Sequence, residues 1–414
     1  MEDIIIELKQ ENISTKRWFE LESIITVVLV LYAVSASISI AASQGFLGIA
    51  LILWIIKLIK NKMSGLFSSP LDLPILVFIA CRIISTFTGI DTGSSMNKMK
   101  ELILFLTIYI FQFNVDKKIF KRLILVLIYA SAFAVVARII HMYIIQGLPF
   151  DLEHRLNGFT GGYMTYGSIL SIPILLGLSL LFFSKIEKVH KIIISVSLLF
   201  LIIGLGMTLT RSAWTGMLAA LLFLGIFKNR ILLISVVLLV IIGIAFSPSR
   251  VKSRIFSMFT PKDLTTYTRL KMWNWGIKVF KDHPITGIGP NNVNKLRYTE
   301  WRKYPLEETV QDDMVHQHNN FMQMLVTLGI VGVLSFLWLI FTIFKILFQS
   351  IKKLKDDPVY SGISWGITAV FIAFIVTGLF EYNFFDSEII MIIFMLLGGL
   401  TGILKKKENF RSGK

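Results

Sequence analysis

The chain has 414 residues, of which 55% are hydrophobic and 16% charged, with a mean hydropathy of +0.72. A soluble domain carries about 25% charged residues, so this composition excludes an ordinary soluble enzyme and implies a polytopic membrane protein. The 42 Lys and Arg against 26 Asp and Glu give a net charge of +16, which on a multispanning chain reports orientation rather than nucleic-acid binding, because cations gather in cytoplasmic connections.

Residues 1–20 are charged and mixed, without a short apolar core and cleavage site, so the first spanning helix is expected to serve as an uncleaved insertion signal. Apolar runs of spanning or near-spanning length follow at about 22–43, 45–60, 73–90, 100–114, 120–142, 163–183, 191–209, 212–227, 231–247, 320–347, 361–380 and 385–404. They predict an all-α polytopic membrane protein of about twelve transmembrane helices. The single Cys81 lies inside the third run, which leaves no disulfide framework and no Cys metal site. Alternate connections carry the cations: Lys9, Lys16 and Arg17; Lys57, Lys60 and Lys62; Lys117, Lys118, Lys121 and Arg122; Lys185, Lys188 and Lys191; Lys228 and Arg230; Lys345, Lys352, Lys353 and Lys355; and Lys405, Lys406, Lys407, Arg411 and Lys414 in the tail. With twelve spans these all fall on one side, and both termini are expected to be cytoplasmic.

The opposite connections are short except one. The predicted organisation is nine helices over residues 1–246, a large periplasmic loop over 247–317, three helices over 318–404 and a basic cytoplasmic tail over 405–414. Long loops translocate largely regardless of charge, and loops of this length carry function or structure of their own. Within the loop, Tyr267, Leu270, Trp273, Ile277 and Phe280 at three- and four-residue spacing predict an amphipathic helix over about 268–281 with those side chains on its buried face. A tight turn is expected from His283-Pro284 to Gly289-Pro290.

Charges that orientation does not explain are the informative ones. Arg211 sits in MTLTRSAWTG, between two apolar runs with almost no loop, hence at the outer end of a helical hairpin. An unpaired arginine at the centre of a spanning helix costs about 2.5–3.5 kcal/mol on insertion scales, which an anionic ligand would offset; an acid partner or snorkelling to headgroups would offset it too. Arg269 opens the loop helix as TRLKMWNWG, where a planar guanidinium suits phosphate oxygens, or is a solvated cation on a polar face. Arg82, Arg138 and Arg155 lie near other outer helix ends and read first as structural. Arg155 precedes RLNGFTGGYMTYG, whose glycines permit close backbone approach to a ligand. His316 and His318 stand where the polar loop gives way to an apolar helix, as VHQHNNFMQMLVTLGIVG. His318 is the candidate acid/base group and His316 its rival, with Asn319 as helix cap. The two histidines with Glu307, Glu308, Asp312 and Asp313 upstream also admit a metal reading, disfavoured because their spacing is not that of a helical zinc site.

Together, the TRSAWTG hairpin, the TRLKMW segment, HPITGIGPNN and HNNFMQMLVTLGIVG resemble the O-antigen ligase and polymerase superfamily of membrane glycosyltransferases. In the last of these a His-Asn pair is followed by nine residues and then Gly329-x-x-Gly332, the ligase spacing. Coverage is best from about Arg155 to Gly332, whereas the first five helices match only in hydropathy. The resemblance implies a GT-C-like fold in the bacterial inner membrane with its active site on the periplasmic side. It implies glycan transfer from undecaprenyl diphosphate to a sugar hydroxyl, on lipid A-core in a ligase, without cofactor or nucleic acid. Carried over by position, Arg211 and Arg269 would bind the diphosphate and His318 would be catalytic, with Arg155, His316, Asn319, Trp273 and Asp386 as additional substrate contacts. The residues themselves favour direct inverting displacement without a metal, since two fixed cations can stabilise the departing diphosphate and no carboxylate pair argues for a covalent intermediate. A polysaccharide polymerase shares these features. A small-solute, bicarbonate-like transporter is the alternative of another class; it should show internal repeats and interrupted spanning helices, and no persuasive repeat is present.

Overall fold

The computed structural model describes residues 20–61, 69–159, 161–246, 249–256, 264–299, 303–304 and 316–411. All twelve apolar runs fold as helices. They are α1 (residues 20–35), α2 (Ile40–Asn61), α3 (Asp72–Thr88), a 3-10 segment Met99–Phe105 leading into α5 (Leu106–Asn114), α6 (Lys117–Ile139), α7 (Tyr163–Phe183), α8 (Lys188–Met207), α9 (Arg211–Phe227), α10 (Arg230–Phe246), α14 (Asn320–Lys353), α15 (Tyr360–Thr377) and α16 (Ser387–Arg411). The short helices α4 (Thr92–Met96), α11 (Ser249–Phe256), α12 (Leu264–Asp282) and α13 (Asn292–Thr299) lie in the connections. Seven helices among the described residues are long and apolar enough to cross a membrane: α2, α6 with its π-helical extension to Ile145, α7, α8, α14, α15 and α16. The chain is therefore a helical polytopic membrane protein. The others are shorter apolar helices, and the 22–43 run is split by a turn at Ala36–Ile38, where Ser37 hydrogen-bonds Ser131 at 2.6 Å.

Because lipid is as apolar as a leucine side chain, helix association in a membrane rests on close packing. Gly216 of α9 faces the backbone of Ala373 on α15, where a Cβ would lie 2.6 Å from the carbonyl oxygen. α16 is sheathed by its neighbours along its spanning length, whereas α2 is largely peripheral. Phe78, Phe105, Phe336, Phe384 and Phe394 from α3, α5's approach, α14, the α15–α16 connection and α16 form a buried aromatic cluster, with Phe336 and Phe384 centroids 4.7 Å apart.

Helix α14 departs from a plain span. Gly329 has φ 65° and ψ −164°, so the helix is broken after its first nine residues. Four backbone hydrogen bonds bind the segment after α12 into the gap: Ile288 N–H to Val326 O, Gly289 N–H to Thr327 O, Ile330 N–H to Pro284 O and Val331 N–H to Ile285 O. The HPITGIGP turn is therefore a backbone splint that satisfies the groups freed by the break, as a bilayer interior demands. Gly329 and Gly287 permit this close approach; a Cβ on Gly329 would overlap the Ile285 carbonyl oxygen. Gly329→Ala is expected to cost about 2–4 kcal/mol, through left-handed strain and overpacking. Thermal unfolding in detergent should fall by several degrees, while Gly206→Ala in α8, with open space at its Cβ, should unfold as wild type does.

The loop helix exists but buries a different face from that predicted. Thr268, Met272, Trp275 and Val279 face the protein, joining Ile288, Val293, Leu296, Tyr304 and Val326 in a second small core. Tyr267, Leu270 and Ile277 are exposed, and Trp273 and Phe280 are only partly covered. The helix has apolar residues on two sides, and periodicity alone does not say which side meets protein.

Candidate active site

One cavity of about 420 Å³ gathers most of the singled-out residues. Among the described residues its lining includes Arg155, Arg211, Arg269, His316, His318 and Glu381. These come from segments up to 226 positions apart in sequence, from Arg155 to Glu381.

Arg211 is the first residue of α9, after Thr210 in extended conformation, and is 8% exposed. The α8–α9 turn is fixed by Thr210 Oγ1, which donates to Tyr163 O at 3.0 Å, and by Trp214 Nε1, which donates to Leu205 O at 3.1 Å. Of the glycines in TGGYMTYG, Gly167 serves this turn, since a Cβ there would press on Ala213, Thr208 and Thr210 at 3.1–3.2 Å; Gly161 lies against Glu388, and Gly162 has open space at its Cβ. Arg155 stacks over Tyr163, with 4.2 Å from guanidinium carbon to ring centroid, and donates to Leu152 O. Arg82 and Arg138 are held elsewhere, Arg82 by Glu101 and Arg138 by Asn157.

His318 has φ 44°, a left-handed conformation uncommon among residues other than glycine. Its backbone N–H donates to His316 Nδ1 at 3.3 Å, and the two rings lie 4.2 Å apart in an edge arrangement. Desolvation first, and the neighbouring His318 second, push the His316 pKa down to about 4. His316 is thus a neutral acceptor that braces the turn, and it holds a proton only in acid.

The two asparagines then fix the frame. Asn319 caps α14, accepting from Phe321 N–H and Met322 N–H at 2.8 and 3.0 Å, while its amide donates to Leu379 O. Asn320 donates to Asn383 and accepts from the Asn383 and Phe384 N–H groups. The helix start carrying His318 is thereby clamped to the Gly378–Asp386 connection, which carries Glu381. Trp273 does not line the cavity; its Nε1 donates to Gln317 O at 2.9 Å and pins the histidine loop to α12.

Glu381, 7% exposed, is the cavity-lining acid that sequence reasoning passed over. Its Oε1 accepts from Arg269 at 2.7 Å and from Ser212 Oγ at 3.2 Å, and its Oε2 lies 3.4 Å from His318 Nδ1. Attention to the outer EYNFFDSE segment fell on Asp386 instead. Asp386 lies just before α16, accepts from Thr165 Oγ1 at 2.7 Å and is outside the cavity lining; burial, foremost, raises its carboxyl pKa. The available signal for Glu381 was an acid with no cation near it in sequence at the outer end of an apolar run.

The arrangement has a chemical logic. In the tautomer that carries its proton on Nδ1, toward Glu381, His318 keeps Nε2 as an acceptor, and the residue lines the cavity, which is what removing a proton from a hydroxyl requires. Three guanidinium groups line the same cavity and suit an anion. Glu307, Glu308, Asp312 and Asp313 lie outside the described residues, and among those described no group of three His, Cys, Asp or Glu side chains is placed to hold a metal ion.

No curated protein matches the chain. Residues 196–337 match the family model described as O-antigen ligase, a stretch that contains Arg211, Arg269, His316 and His318 but neither Arg155 nor Glu381. Over that stretch the chain is similar to the O-antigen ligase family, whose members are membrane glycosyltransferase-like enzymes.

Proposed function

We propose that the protein is a ligase-type inverting glycosyltransferase, moving a glycan from undecaprenyl diphosphate to a sugar hydroxyl of a glycolipid such as lipid A-core. In this reading the twelve helices cross the inner membrane, both termini are cytoplasmic and the cavity opens at the periplasmic side. The observation that carries it is the convergence of Arg211, Arg269 and His318, with Glu381, on one cavity.

The reaction is one displacement. The acceptor hydroxyl oxygen attacks the anomeric carbon and forms the new glycosidic bond. The bond from that carbon to the diphosphate oxygen breaks, and its electron pair leaves with undecaprenyl diphosphate. His318 Nε2 takes the hydroxyl proton, and Glu381 steadies the imidazolium that forms. Arg211 and Arg269 stabilise the charge gathering on the leaving group, with no metal required. Arg155, stacked on Tyr163 at the wall, is placed to extend the same anion site.

Purified protein with undecaprenyl-diphosphate glycan and a glycolipid acceptor should yield glycan on the acceptor, with EDTA present. A longer lipid-linked chain instead would identify a polymerase, and loss of activity in EDTA would restore a metal. The transporter alternative gains one feature, the interruption of α14, but the freed backbone groups are taken by Pro284–Gly289 rather than left for a solute. Uptake into liposomes without glycosyl transfer would favour it.

Glu381 supplies a separate check. Glu381→Gln should lower kcat by about 10²-fold, because an amide cannot balance the imidazolium. Glu381→Asp should recover part of the rate, and donor KM should move less than kcat. An unchanged kcat in Glu381→Gln would remove it from the mechanism.

A further inference from the structure

A second cavity, of about 520 Å³, lies between α2, the approach to α5 and the start of α16. Its character changes along its length. Gln44, Lys98, Lys100 and Ser387 stand at one end, which is the outer end in the topology above, and Gln44 Nε2 donates to Ser387 Oγ there. Leu47, Leu51, Ile110 and Met391 line the remainder. Leu51 lies seven residues along α2 from Gln44, about 10 Å deeper at the helical rise. Lys98 pairs with Glu101 at 2.9 Å, and Lys100 is exposed at the mouth. Glu101 lines the same end and is paired by both Lys98 and Arg82, so with Lys100 the cations at this rim outnumber its one acid; such a rim over an apolar shaft, at the end of helices that reach lipid, fits a lipid whose head bears phosphate.

The wall between the two cavities is thin. The Tyr382 ring lies 5.6 Å from that of His316, which lines the first cavity, and 6.5 Å from that of Phe385, which lines the second. Arg82, over Phe385 at 3.8 Å and paired with Glu101, braces that wall. A single displacement requires both substrates bound at once, and both are lipids. The arginine cavity takes its wall from α7, α9 and α12, with Tyr382 between it and the second cavity.

We propose that the second cavity seats the acceptor lipid, its phosphate-bearing head at Lys98 and Lys100 and its chains along α2 and α5, so that donor and acceptor meet from opposite sides of Tyr382. This inference rests on the glycosyl-transfer reading. It assigns the two substrates to two entrances.

The test uses full-length protein in nanodiscs, as wild type, Leu51→Trp, which fills the shaft, and Lys100→Gln, a change at an exposed side chain. Acceptor KM should rise about tenfold in both variants, about 1.4 kcal/mol of binding, with donor KM and acceptor-independent donor hydrolysis unchanged. Native mass spectrometry should show phosphatidic acid retained over phosphatidylcholine by wild type, and less by Lys100→Gln. A rise in donor KM would overturn the assignment by making the cavity the donor's. Loss of phosphatidic acid with acceptor KM unchanged would overturn it by making the cavity a seat for bulk anionic lipid, and no change in any reading would overturn it altogether. A wild type that retains phosphatidic acid but transfers no glycan overturns the glycosyl-transfer reading and leaves the lipid seat standing.

Discussion

His318→Ala should lower kcat by about 10²–10⁴-fold, the range of positioned acid/base catalysis, with donor KM nearly unchanged. The side chain is small in the economy of the fold: its neighbours are braced by the Asn319 cap and the Asn320–Asn383 clamp, so the cavity should survive its loss. His316→Ala should cost less and by a different route. Its Nδ1 accepts from the His318 N–H, and without it the left-handed turn at His318 loses its brace. A group whose pKa has fallen to about 4 takes up a proton poorly at neutral pH. Single-turnover transfer rates for the two variants decide the matter. If His316→Ala loses transfer and His318→Ala keeps near-wild-type turnover, the base has been assigned to the wrong ring.

What could be read in the sequence was set by local patterns. Each apolar run became a helix because an uninterrupted stretch of apolar residues in lipid has to satisfy its own backbone. Arg211 and His318 drew attention because each is polar at the edge of such a run, and Arg269 because it opens the loop helix; the structure brings all three to one cavity. The break in α14 was not legible, although Gly329 and Gly332 stood out by their spacing after the His-Asn pair. Glycine permits an interruption, but what makes one is the docking of Pro284–Gly289, some forty residues earlier. The buried face of α12 was misread because the side that meets protein depends on Ile288, Val293 and Val326, which are remote from it in sequence. Glu381 was missed for the same reason: its meaning comes from Arg269, Ser212 and His318, and nothing adjacent to it in the chain signals them.

The arginines should behave unequally despite sharing a cavity. Removing one charge-stabilising donor from a transition state costs about 2.7–4 kcal/mol, so Arg211→Ala is expected to lower kcat/KM by about 10²–10³-fold. Arg269→Ala loses the same contact and also strands Glu381, a carboxylate 7% exposed that it holds at 2.7 Å. Removing one partner of a buried pair costs about 3–5 kcal/mol, and the uncovered carboxylate would then repel a diphosphate. Arg269→Ala should therefore lower both thermal stability and donor affinity. The double variant Arg269→Ala with Glu381→Gln separates these effects, since it should regain stability without regaining transfer. Arg211→Lys should recover only part of the rate, because an ammonium supplies the charge without the planar fork. Transfer kinetics with varied donor, alongside thermal unfolding in detergent, read both quantities. If both alanine variants keep kcat/KM within about threefold, well short of the loss expected for a donor to the leaving group, the diphosphate is bound elsewhere.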